Sequence, residues 1–182
     1  DDTCSPDTPI DERLKELRAR AASIPEASLN ESDRLHRALF VEELDSDIAS
    51  EVCRFEVWSF SPRFNPLQDA NNLPETHTVA SIEDGNNLVE RYRQLPAQID
   101  AATADLRVGL EDNLVVNRRS AELVVEMFDR QLAAEPSDWP LLAPARAEHA
   151  DWDAASLRTH REAISSIVTE EIVPALTRYR DL

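Results

Sequence analysis

The chain has 182 residues, 19 of them basic and 36 acidic, for a net charge of −17. Binding to a phosphate backbone or an anionic membrane draws on clustered Lys and Arg, so this balance argues against a nucleic-acid partner. Two glycines (Gly85, Gly109) against eleven prolines exclude phosphate loops and dinucleotide fingerprints, and they disfavour turn-rich β architectures. In chain order, residues 1–7 are polar and read as a loose N-terminal segment without the basic and apolar regions of a signal peptide. Thr8-Pro9 suits a helix start. Ile10, Leu14, Leu17, Ala21 and Ile24 then step by 4, 3, 4 and 3, the spacing of one helical face. Pro25 ends that helix. Asn30 or Ser32 caps a second, predicted over about 32–58, with Leu35, Ala38, Val41, Leu44, Ile48, Val52 and Phe55 on one face.

Residues 61–80 hold Pro62, Pro66, Pro74 and three asparagines with no sustained period, and they read as a structured loop. Ser81 to Asp84 resembles a capping box with Asp at its last position. The helix behind it is expected to kink or break at Pro96 and to end near Gly109. Asn117 caps a helix through about Leu132. A second proline-rich loop, 134–151, carries Trp139. Asp153 caps a last helix that Pro174 should kink, and whose pattern is still running at Leu182. With no convincing strand, the fold class is all-α: a single domain over 1–182, an irregular bundle of five to six long helices with two proline-rich structured loops.

No H-E-x-x-H helix or G-x-S-x-G elbow is present. His149, Asp151 and Asp153 have a spacing that a metal can bridge, but acids at a helix start are ordinary dipole partners. His36 and His160 are expected on solvated or half-buried faces. The run Phe55-Glu56-Val57-Trp58-Ser59-Phe60 reads first as a core anchor and second as a cleft wall around Trp58. Asn65, Gln68, Asn71 and Asn72 offer carboxamides suited to a peptide backbone, although asparagine is also a common turn residue. With His77, these are the candidate substrate-binding residues; a small-molecule pocket over 61–80 is a weaker option. Cys4 and Cys53 form a disulfide if the protein is exported; otherwise they are two thiols with Cys53 buried as a small hydrophobe.

Several segments together resemble the N-terminal half of the DUF885 family of bacterial proteins. They are Asp33-Arg34-Leu35 through Phe55, Phe64-Asn65-Pro66-Leu67 through Asn72-Leu73-Pro74, Tyr92-Arg93-Gln94-Leu95-Pro96, Leu106-Arg107-Val108-Gly109-Leu110, Pro140-Leu141-Leu142, and Ile172-Val173-Pro174-Ala175-Leu176. Leu176 stands where the family usually has Tyr. The resemblance implies a helical, often exported protein similar to gluzincin-type zinc peptidases. Their metal motif, an H-E-x-x-P-G-H-like helix, belongs to a C-terminal half, so no catalytic or metal-binding residue carries over to any position here. It further implies a non-catalytic N-terminal subunit or fragment, cut from a longer precursor. Such a subunit forms a wall and lid of a peptide cleft beside a C-terminal partner chain that holds zinc. The alternative is a non-enzymatic helical binding or scaffold domain.

Overall fold

The computed structural model describes residues 10–182; the start expected at Thr8-Pro9, the segment 1–7 and Cys4 lie outside them. All regular structure among the described residues is helical, in agreement with the all-α reading. No helix there is long and apolar enough to cross a membrane. The chain divides into two compact units, one ending at Phe55 and the other spanning Glu56–Leu182.

The first unit pairs α1 (Ile10–Ser23) with α2 (Glu31–Ser50). Asn30 caps α2, its side-chain oxygen accepting from the Asp33 amide at 2.8 Å. The Arg37 guanidinium donates to the Ala21 and Ala22 carbonyls at 2.9 and 2.7 Å, and so ties α2 to the last carbonyls of α1. Among the described residues of this unit, only Ala21 and Leu44 are buried. The helix expected to reach residue 58 stops at Ser50. There the Ser50 hydroxyl donates back to the Asp47 carbonyl, Glu51–Cys53 tightens into a 3₁₀ turn, and Arg54 adopts φ 46°. Val52 and Phe55 therefore leave the predicted apolar face and stand exposed. Cys53 is also exposed, not a buried hydrophobe.

In the second unit, a helix occupies much of the segment expected as a loop over 61–80: α3 spans Pro66–Thr76. Asn65 is its N-cap, accepting from the Gln68 amide at 3.1 Å, and Pro66 fills the first turn, where no amide is missed. Buried Leu67 and Ala70 with half-buried Leu73 form its inner face. α4 (Ile82–Glu111) begins with the expected capping box: Ser81 Oγ accepts from the Asp84 amide at 3.1 Å and Asp84 Oδ2 accepts from the Ser81 amide at 2.9 Å. The Ser81 hydroxyl, donating to Asp84 Oδ2 at 2.8 Å, and then the Ser81 amide hold the Asp84 carboxyl below its ordinary range. Ser81→Ala is expected to lower stability by about 1 kcal/mol, which thermal unfolding reads as a fall of about 2–4 °C.

Of the kink or break expected at Pro96, the break does not occur: α4 runs continuously through it. Proline inside a helix costs about 3 kcal/mol, and the burial of Leu88, Tyr92, Leu95 and Ile99 along one face offsets that cost. The helix also outlasts Gly109. Asn113, at φ 59°, is the left-handed residue. The Leu114 amide reaches the Gly109 carbonyl at 2.8 Å and the Asn113 amide reaches that of Leu110 at 3.3 Å, a Schellman closure. α5 (Arg118–Ala133) starts at its Asn117 cap. The second proline-rich connection follows, containing 3₁₀ turns and the short α6 (Ala143–Arg146). α7 (Ala154–Ile167), capped by Asp153, continues through a π-turn at Val168–Ile172 into α8 (Val173–Arg180). Pro174 gives that turn its cause, because its ring displaces the carbonyl one turn back. α4 packs on α7 and α8, and α5 on α8. The core between them holds Tyr92, Phe128, Ile164, Ile172 and Leu176.

Candidate functional site

The end of α4, the face of α5 and the end of α8 leave a cavity of about 310 Å³ between them. Leu106 and Leu110 come from α4, Val124, Val125 and Phe128 from α5, and Tyr179, Arg180 and Leu182 from the last turn. Val57, Trp58 and Phe60 close another side, and the connection Leu114–Val116 forms the rim. Gly109 makes this closure possible: a Cβ there would collide with the Val57 carbonyl oxygen and lie 3.0 Å from that of Leu114. Val57 is thereby pinned against α4, and Trp58 follows it onto the cavity wall.

The walls are aromatic and aliphatic. Tyr179 stacks on Phe128 with centroids 5.3 Å apart, and Phe60 meets it edge-on at 6.5 Å. Burial, with a further contribution from Asp69, pushes the Tyr179 phenol up to about 12, so it stays neutral. Arg180 is the sole charged lining residue, and its guanidinium is already engaged. Nε donates to Asp129 at 2.7 Å and Nη1 to Asp181 at 3.0 Å. The cavity therefore suits an uncharged, bulky apolar group; it presents no nucleophile–base pair.

A second, shallower cleft is lined by Pro74, Glu75, His77, Val79, Pro144 and His149, among others. His77 donates from Nε2 to the Asp84 carbonyl at 3.1 Å. His149 stacks on Trp152 at 4.3 Å. Among the described residues, no group of three His, Cys, Asp or Glu side chains is placed to hold a metal ion.

The six candidate residues do not converge. Trp58 lines the apolar cavity and His77 the second cleft. Asn65 is buried as the α3 cap and also donates to the Ser61 carbonyl at 2.9 Å. Gln68 donates to Asn72 at 3.0 Å along the same helix. Asn71 keeps a buried side-chain oxygen without a partner. Helical spacing can put Val124, Phe128 and Tyr179 on apolar faces, but it does not show that they surround an opening. The one available signal was Leu114-Val115-Val116, an apolar run in a connection, of which Val115 is 60% exposed.

An all-helical unit with an apolar cavity at one end thus defines the protein's class. A family model described as a bacterial protein of unknown function (DUF885) matches residues 7–182, and the chain belongs to that family. No curated protein and no solved structure matches it.

Proposed function

We propose that this chain binds peptides as the non-catalytic N-terminal part of an exported, zinc-metallopeptidase-like enzyme, of whose cleft it forms one wall. The observation that carries the reading is the cavity beside Trp58. Its size, its aromatic sides and its one neutralised cation fit the apolar side chain of a peptide. No group among the described residues is placed to hold a metal ion; in this reading the zinc sits on a C-terminal partner chain, and no hydrolytic step is assigned to residues here. Peptide recognition by this wall then consists of burying one bulky side chain and excluding water around it.

Val125→Asp tests the binding. Val125 lines the cavity yet is 39% exposed, so the variant has room to fold. Titration of Trp58 fluorescence with phenylalanine- or leucine-containing peptides should show saturable binding to the native protein. The carboxylate should weaken it by tenfold or more, because a charge facing an apolar ligand loses its hydration. Equal binding to both proteins would refute the assignment. Purification from the native source separates the enzyme reading from a scaffold: a co-purifying second chain with stoichiometric zinc supports the former, and a lone chain without metal the latter.

A further inference from the structure

His160, on α7, is 5% exposed, and neither of its ring nitrogens has a hydrogen-bond partner. Its ring meets Trp152 edge-on at 5.3 Å and His149 at 6.3 Å, while His149 and Trp152 stack on each other at 4.3 Å. The Trp152 indole in turn lies on Gly85 of α4, so closely that a Cβ at that position would strike its ring. Both ends of the intervening segment are held separately. Arg161 Nη2 donates to the Ala147 carbonyl at 2.7 Å, and Asp153 caps α7. Between those anchors, the ring stack is what presses residues 148–152 onto α4.

A neutral imidazole tolerates this place because it carries one proton and no charge. An imidazolium is a donor at both nitrogens and needs acceptors or water at each. No acceptor is within reach. The charged and titratable groups around the ring are also of the wrong sign. His149, from the connection, and Arg161, on the same helix, both disfavour a positive charge at His160, and desolvation disfavours it more. α4 meets the stack with Gly85, α6 contributes Arg146, whose Nη2 donates to the Trp139 carbonyl at 3.4 Å, and no carboxylate acts on the ring.

We propose that the His149–Trp152–His160 stack is an acid-sensitive latch, which holds the 148–152 segment closed on α4 and releases it when His160 takes up a proton. The second cleft, which His149 lines, is the region that changes shape on release. The sign follows from linkage. The closed form holds the His160 proton less tightly than the open form, whose imidazole titrates at its ordinary value near 6.5. Closure is therefore at full strength above that pH and weakens as pH falls below it.

The test follows the Trp152 indole N–H resonance and the amide protection factors of residues 149–152 in the full chain, from about pH 7.5 to about pH 5. Protection should fall by tenfold or more, with the indole shift sharing its midpoint. His160→Phe, which fills the site and cannot titrate, should hold protection constant, and His149→Gln should still open. The inference is overturned if His160→Phe keeps the native pH dependence. If that variant fails to fold, the native His160 ring signals decide. A shared midpoint with Trp152 sustains the latch; a ring that titrates while Trp152 and the amides stay still overturns it.

Discussion

Gly109→Ala should lower the melting temperature, although it replaces glycine with the strongest helix former inside a helix. Propensity alone predicts a gain of about 1 kcal/mol. Gly109 adopts no left-handed conformation, so backbone freedom is not what it supplies. What it supplies is space. The added methyl would meet the Val57 and Leu114 carbonyl oxygens, both backbone atoms that no rotamer change can move aside. Overpacking costs about 1–3 kcal/mol, and backbone on two sides places this case at the upper end. The net loss is about 2 kcal/mol, or about 4–8 °C in thermal unfolding. Peptide binding should weaken with it, because Val57 can no longer hold Trp58 on the cavity wall. Ala104→Gly, at an exposed site on the same helix, isolates the propensity term at about 1 kcal/mol in the destabilising direction. A higher melting temperature for Gly109→Ala than for the native chain would reject the close-approach account.

Local rules read from the sequence went as far as local physics reaches. Asn30, Ser81, Asn117 and Asp153 all cap helices, because an oxygen two or three residues before an orphan amide needs no tertiary help. Proline misled at two places. Pro66 and Pro74 made residues 61–80 look irregular, yet both lie inside α3. Pro96 suggested a break, and packing on both sides of it overrode the lost hydrogen bond. Pro25 does end α1, which stops at Ser23, and at Pro174 the disturbance takes the form of a π-turn. Once the helix forms, Asn65 is its cap and Gln68 bonds Asn72 along it, while Asn71 keeps an unpartnered oxygen, none of which a loop reading could anticipate. The run around Trp58 read first as a core anchor and second as a cleft wall; the cavity Trp58 lines is a property of three helix ends meeting. The isolation of His160 is likewise tertiary: a single histidine on a helix gives no sign that every acceptor has been left out of its surroundings.

Phe128→Ala should carry the largest single cost in the second unit. The side chain is 1% exposed and stacks on Tyr179. Truncating a buried phenylalanine removes its transfer free energy and leaves a hole, about 3–5 kcal/mol together. Here the hole opens into a cavity already present, so neighbouring side chains have little to collapse onto and the upper part of that range applies. Denaturant titration measures the loss. A second readout separates packing from general unfolding. In the native chain, burial holds the Tyr179 phenol neutral up to about 12, so its contribution to stability is complete below the ordinary value of 10 and disappears as pH rises towards 12. Water entering beside a truncated residue 128 would lower that phenol towards 10. Ultraviolet titration of the folded variant should therefore show one tyrosine ionising earlier than in the native chain. Tyr92, also raised by burial, donates to the Leu141 carbonyl at 2.8 Å away from the cavity and should not move. If both phenols shifted together, the variant would have loosened the whole core, and the assignment of Phe128 as the floor of an otherwise intact cavity would fail.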